Sequence, residues 1–423
     1  MRLITKPILS WSLYDWANSA FATTVMAGFF PVFFKSYWSA GADVTASSFR
    51  LGLGNSIAGI AIMVLAPLLG AIADKGGSRK KFLLFFTVMG VVMTAGLYFV
   101  QKGAWETAVL LYVAASIGFS GGTIFYDALI VVVAPRDKLD VVSALGFALG
   151  YLGGGLLFAL NVAMTLWPHA FGLADAAQAV QVSFVMVAVW WAVFSVPAMV
   201  FVEEPQAISD QRAIQIIKDG LHQVWETFHE IRRLRVIFLF LIAYWCYIDA
   251  VDTIIRMAVD YGLSLGFQAQ NLIVALLITQ VVGFPAALLF GKFGERFGAR
   301  TGIFVAIFFY MVITLWAMRM DRVVEFYILA GAIGLVQGGI QSLSRSLYAS
   351  IIPADKSAEF FGFYNMLGKF ATVLGPLLMG VVGVITGSPR LSLLAVIALF
   401  VVGAAVLYFV DVAAGRRSIS DQS

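Results

Sequence analysis

Long, nearly unbroken apolar runs fill the chain from end to end, separated by short clusters of charged and turn-forming residues. A helix that crosses the hydrocarbon core of a bilayer needs about 20 consecutive, mostly apolar residues. Twelve windows reach that length: approximately 8–34, 51–73, 82–100, 108–134, 141–167 and 180–202, then 236–261, 271–293, 301–318, 325–352, 360–386 and 391–412. One long polar stretch, 203–235, separates the two sets of six. None of the windows alternates apolar and polar positions as the strands of a membrane barrel do. The pattern predicts an all-α polytopic membrane protein of twelve transmembrane helices in two six-helix bundles, 1–202 and 236–423, the second with a short tail. A linker at 203–235 carries an amphipathic helix. The first apolar stretch runs to full spanning length with no small-residue cleavage site after a short core, so it reads as a span and not as a removed signal peptide.

Composition supports this reading. Of 423 residues, 61% are hydrophobic and 12% charged, against roughly 45–50% and ~25% in soluble domains. That excludes a soluble enzyme and a disordered chain. The net charge of +4 matters only through its placement. Nineteen of the 28 Lys and Arg lie in the N-terminus, alternate loops, the linker and the C-terminus, and six lie in the opposite loops. By the positive-inside rule both termini and the linker face the cytoplasm. The same dispersal excludes a nucleic-acid surface, which needs clustered positives on one face. Cys246 is the only cysteine, so no intramolecular disulfide can form.

The two sets repeat one another. Gly70–Arg79 and Gly291–Arg300 share the pattern G-x3-acid-base-x-G-x-R, each after the second span of its set. Gly121-Gly122 with Pro135, Asp137 and Lys138 matches Gly338-Gly339 with Pro353, Asp355 and Lys356 at a shift of about 218 residues. Asp15-x-x-Asn18 in the first span corresponds to Asp249-x-x-Asp252 in the seventh. Parallel repeats with a site between them are a transporter architecture.

At this point the chain resembles the major facilitator superfamily. Within it, YDWANSAF at 14–21, GFALGYLGG at 146–154, GGIQSLSRSLYASIIP at 338–353 and AEFFGFYN at 358–365 resemble the autophagy-related vacuolar amino-acid effluxers and their bacterial relatives. The resemblance covers essentially the whole chain. It departs in the seventh span, where Tyr247-Ile-Asp249-Ala250 stands in place of Tyr-x-Asp-Gly. It implies that spans 1, 4, 7 and 10 line a central cavity, and that the protein sits in a bacterial inner membrane.

An ionisable group at the centre of a span costs about 2.5–3.5 kcal/mol on insertion scales, so each one needs a reason. Asp15, Asp127, Asp249 and Asp252 fall on spans 1, 4 and 7, Arg345 on span 10 and Lys369 on span 11. Asp127 and Arg345 each precede a proline by eight residues, which places both roughly 12 Å inside the membrane at 1.5 Å per residue. The two readings of this acid and base are a substrate clamp or gating pair, and a permanent structural pair. Asp249, Asp252 and Arg256 share one helix face; the acids are candidates for solute binding or proton coupling, and Asp252 with Arg256 for mutual neutralisation. Asp15 reads as a site residue or an interfacial cap. Asn18, Gln337, Gln341, Asn161 and Asn365 are candidate hydrogen-bonding groups for a polar solute, or interhelical contacts. Asp74, Arg79, Glu295 and Arg300 read as a cytoplasmic gate made of charge-assisted bonds between helix ends.

The glycine run from Gly146 to Gly155 follows no strand and so reads as helix packing, not nucleotide binding. His222, Glu226 and His229 lie on one side of the linker helix and read as a solvated face, not a metal site. With no Walker motif, no intramembrane nucleophile and no metal cluster in the spans, the chain reads as a cofactor-free secondary transporter and not an enzyme. The expected cargo is a small polar, zwitterionic solute such as an amino acid or short peptide, moved by alternating access with protons as the candidate coupling ion. The bilayer is its other partner, and the monomer its expected state. The rival readings are a transporter of an organic anion or sugar, and a non-transporting receptor or scaffold.

Overall fold

The computed structural model describes residues 4–41, 44–204, 213–264 and 266–420. Among them it is helical throughout, with no strand. The first six long helices are α1 (Lys6–Trp38), α2 (Val44–Lys75), α3 (Arg79–Gly96), α4 (Trp105–Val133), α5 (Leu139–Leu166) and α6 (Ala176–Phe201). A linker helix (Ala213–Arg233) follows, then α7 (Arg235–Ser264), α8 (Ala269–Phe297), α9 (Ala299–Ala317), α10 (Val323–Ile351), α11 (Ser357–Thr386), α12 (Pro389–Tyr408) and a tail helix (Val412–Ser420). Among the described residues, eleven of the twelve long helices carry an apolar stretch sufficient to cross a membrane. In the twelfth, α11, Lys369 is the single charge between 360 and 386 of the sequence.

Local chemistry explains the helix ends. The Thr5 side chain caps α1, and Pro7 occupies its first turn, where a missing N–H costs nothing. Gly77 (φ 50°) and Gly298 (φ 87°) turn the chain between α2 and α3 and between α8 and α9. Both occupy the same place in the repeated loop motif, and only glycine adopts positive φ without strain.

The two halves meet along two seams, α2 against α11 and α5 against α8. On the first seam the contact is tight at the end that carries the termini. There, a Cβ on Gly362 of α11 would sit 2.6 Å from the Ala66 carbonyl of α2. Toward the other end the same helices expose Phe49, Leu53 and Ile57 of α2 and Val381, Val384 and Ile385 of α11. The outer surface of the bundle is a broad apolar belt, as a bilayer requires and water does not tolerate. The linker helix packs on the termini end, against α2, α7 and α11.

Candidate functional site

Arg345 sits at the interface of the halves, 3% exposed. Its guanidinium leaves α10 and, among the described residues, bonds to groups of the opposite half. Nε donates to Ser143 Oγ at 2.9 Å and Nη2 to the Ser143 carbonyl at 2.8 Å. Nη1 donates to Asp127 Oδ1 at 3.1 Å and lies 3.4 Å from Asp15 Oδ2. Tyr126 Oη donates to the same Asp15 oxygen at 2.7 Å, and Asn365 Nδ2 to Asp127 Oδ2 at 3.3 Å. Three rings surround the cation: Phe147 at 4.4 Å, Trp11 at 4.9 Å and Tyr126 at 5.2 Å. Such rings attract a cation through their negative faces while excluding water. One guanidinium thus faces two carboxylates in a dry pocket, a charge imbalance that a second positive charge or a proton would relieve. Gly146 is required here, because a Cβ on it would stand 2.7 Å from both Asp15 Oδ2 and Tyr126 Oη.

Sequence reasoning paired Asp127 with Arg345 and placed Asp15 and Asn365 separately, and the fold brings all four together. Asp15, read as either a site residue or an interfacial cap, is buried within this cluster and caps no helix end. Asn18 is buried one turn further along α1. Ser143, Trp11, Tyr126 and Phe147 were missed. A usable signal exists: Trp11 and Asp15, like Ser143 and Phe147, are four residues apart and so share a helix face.

Asp249 lies apart from this cluster, in the second half, and is fully buried. Oδ1 accepts from the Gly375 amide of α11 at 2.9 Å, with Thr253 Oγ1 at 3.5 Å. Oδ2 makes no hydrogen bond among the described residues. Asp252 and Lys369 are half-buried and both have partners. The side chain of Arg256, read as a neutralising partner of Asp252, lies outside the described residues. Gln337 lines a cavity of about 140 Å³ whose walls are otherwise mostly apolar, and Gln341 is half-buried one turn away. Gln280, in the same cavity wall, crosses the interface to Thr23 Oγ1 at 3.1 Å. Asn161 is fully buried in α5.

At the termini end, Asp74 ties three partners together. It accepts from Arg79 Nε at 2.6 Å and from the backbone amides of Ala358 and Glu359 at 3.2 and 2.8 Å. A carboxylate of one half therefore caps the N-terminus of α11 in the other, where the helix dipole favours negative charge. Arg79 Nη2 continues across the interface to the carbonyls of Ala354 and Asp355 at 3.3 and 3.0 Å. In the second half, Glu295 accepts from Lys138 Nζ at 2.5 Å, again across the interface. Arg300 instead donates to the Tyr408 carbonyl within its own half. The two motifs are alike in sequence but not in partners, because α2 ends beside α11 whereas α8 ends beside the α4–α5 loop. In the linker helix, His222 Nδ1 lies 3.4 Å from Glu226 on an exposed face.

Comparison with known proteins agrees with this architecture. The family described as "Vacuole effluxer Atg22 like" matches residues 37–141 and 134–420. The chain is 40% identical to YxiO of Bacillus subtilis (strain 168), described as an uncharacterized MFS-type transporter, over 97% of this chain and 96% of that one. It is 24% identical to autophagy-related protein 22 of Saccharomyces cerevisiae (strain ATCC 204508 / S288c), over 86% of this chain and 77% of that one. Among solved structures, the human organic anion transporter MFSD10 (TETRAN) superposes with a TM-score of 0.73 at 13% identity, covering 95% of this chain and 99% of that one. The proton:xylose symporter XylE superposes with a TM-score of 0.68 at 13% identity, covering 96% and 94%.

Proposed function

The chain belongs to the vacuole effluxer Atg22-like family of the major facilitator superfamily, and on that premise we propose that it moves a small zwitterionic solute, an amino acid or short peptide, by proton-coupled alternating access. The observation that carries the reading is the Arg345 cluster. It joins α10 of one half to α1, α4 and α5 of the other, so the termini end cannot open without breaking its bonds. A solute carboxylate replaces Asp127 on the guanidinium through the same charge-assisted bonds. A solute ammonium then meets the released carboxylates, and the aromatic walls hold both ends in a dry site. A solute with only a carboxylate would leave two acids facing it, which argues against an organic anion.

Protons enter through the acids. With two carboxylates on one guanidinium, the Asp15–Asp127 pair is the place where a proton is taken up when Arg345 turns to the solute. Asp249, buried without a cationic partner among its hydrogen bonds, is a second carrier. The termini end faces the cytoplasm of a bacterial cell, following the excess of Lys and Arg on that side.

The test is a thermal-shift screen of purified protein against amino acids, dipeptides, sugars and organic acids. A solute at 100 times its Kd adds about 2.7 kcal/mol of stability. The expected result is stabilisation by zwitterions that is lost in Arg345→Gln, followed by uptake of the same solutes into proteoliposomes. Stabilisation by sugars or organic acids alone overturns the reading.

A further inference from the structure

We propose that the linker helix lies in the interfacial layer of the membrane beside the α2–α11 seam and binds anionic phospholipid headgroups there. The proposal rests on the orientation given above only for which leaflet is meant.

The helix presents three distinct sides. One side is docked: Thr227 and Ile231 are buried, and Val224 packs into the main core. Thr227 Oγ1 donates to Glu359 in the first turn of α11, and Lys356 Nζ donates to Glu230 at 2.7 Å. These bonds fix the rotation of the helix against the residues that Asp74 caps. A second side carries Trp225 (64% exposed) and Phe228 (39% exposed), with exposed Arg232 one turn further on. At 100° per residue these three fall within about 60° of one another. The third side, with His222, Glu226 and Arg233, is polar.

A helix in water has no reason to expose a tryptophan and a phenylalanine on one side, and a helix buried in hydrocarbon could not keep Arg232 there. An interfacial helix needs this combination: apolar rings at the acyl boundary and arginines among the headgroups. Arg232, Arg233 and Arg235 are all exposed at the end where the helix meets α7, Arg232 on the side of the two rings and Arg233 at the edge of the polar side, so positive charge collects at that end of the helix. Glu226 and Glu230 lie on other sides, toward solvent and toward Lys356. The position fits as well. The helix packs against α2, α7 and α11 at the termini end, and further along α2 the flank exposes Ile60 and Val64. An anionic surface attracts such arginines, and zwitterionic lipid attracts them far less.

The test uses full-length protein in vesicles, with Cys246→Ser as the background and one spin label at a time at Phe228→Cys or Glu226→Cys. In vesicles containing phosphatidylglycerol, the label at 228 should be reached by oxygen and shielded from a water-soluble nickel relaxant, while the label at 226 shows the reverse. As the phosphatidylglycerol fraction falls to zero in phosphatidylcholine, the label at 228 should emerge into water. Arg232→Gln with Arg233→Gln should move that midpoint to a higher anionic fraction, each lost charge weakening the attraction about fivefold. Equal aqueous exposure of both labels overturns the proposal, as does immersion that is independent of headgroup charge. Shielding of the label at 228 from both relaxants would mean a protein partner, a second copy included, and overturns it too. Sidedness is read separately, from labelling of the Glu226→Cys site by an impermeant reagent in intact cells. A wrong orientation and a wrong lipid contact therefore give different results.

Discussion

Arg345 makes the sharpest residue-scale prediction, because its clamp and structural readings diverge under mutation. Removing one partner of a buried pair strands the other charge at a cost of about 3–5 kcal/mol, so a purely structural cluster predicts that neutralising Arg345 and both of its acids restores the protein. For a clamp, Asp15→Asn and Asp127→Asn with Arg345→Gln should fold yet fail to transport, since no amide attracts a solute carboxylate as a guanidinium does. Near wild-type transport by that triple variant, measured in proteoliposomes, rejects the clamp. Asp249 makes a second prediction. Asp249→Asn keeps the shape and can still accept from the Gly375 amide, but carries no proton, so the variant should bind solute normally and show a weaker dependence of transport on a pH gradient. Unchanged pH dependence removes Asp249 from the coupling. What the sequence concealed at this scale is physical. A lone Ser, Trp or Phe in a span is unremarkable until the fold brings it against a buried charge, as Ser143, Trp11 and Phe147 are brought to Arg345.

At the scale of elements, the twelve windows were legible because the bilayer imposes one length and one polarity on each crossing. The partners of the loop motifs were not legible, since a repeat in sequence fixes local conformation and not the neighbour across the interface. Gly77 and Gly298 turn the chain alike, yet Arg79 crosses to Ala354 and Asp355 while Arg300 stays within its own half. Asp74, which bonds both Arg79 and the first turn of α11, is therefore the motif residue whose loss should tell most. Asp74→Asn keeps an acceptor for α11 but loses the charge-assisted part of its bonds to Arg79 and to the two amides, about 1.4 kcal/mol or roughly tenfold in population. A cysteine placed at Ser342, whose carbonyl accepts from Ser143 inside the closed interface, should react correspondingly faster with a reagent applied from the termini side, in the Cys246→Ser background. An unchanged rate would show that Arg79 and the α5–α8 seam close that end without Asp74.

For the molecule as a whole, α11 is the helix whose crossing needs an argument, since it carries Lys369 near its middle. If it did not cross, eleven spans would put the C-terminus opposite the N-terminus. Two arguments place both on one side. Arg416 of the tail helix donates to Ser350 Oγ at the end of α10, and α10 ends where the Asp74 latch meets the α10–α11 loop, near the docked linker helix. Independently, the nineteen-to-six distribution of loop Lys and Arg is biased the same way in both halves only if the number of crossings is even. Lys369 is not prohibitive, because α11 packs against α2, α4 and α7 along the interface between the halves, where a charge can be met by protein or water instead of lipid. A reporter fused after Arg417 and another inserted within 203–235 should therefore both read cytoplasmic, and one inserted between α1 and α2 should read external. An external signal from the fusion after Arg417, with the other two as expected, would leave α11 as a re-entrant helix and reduce the count to eleven.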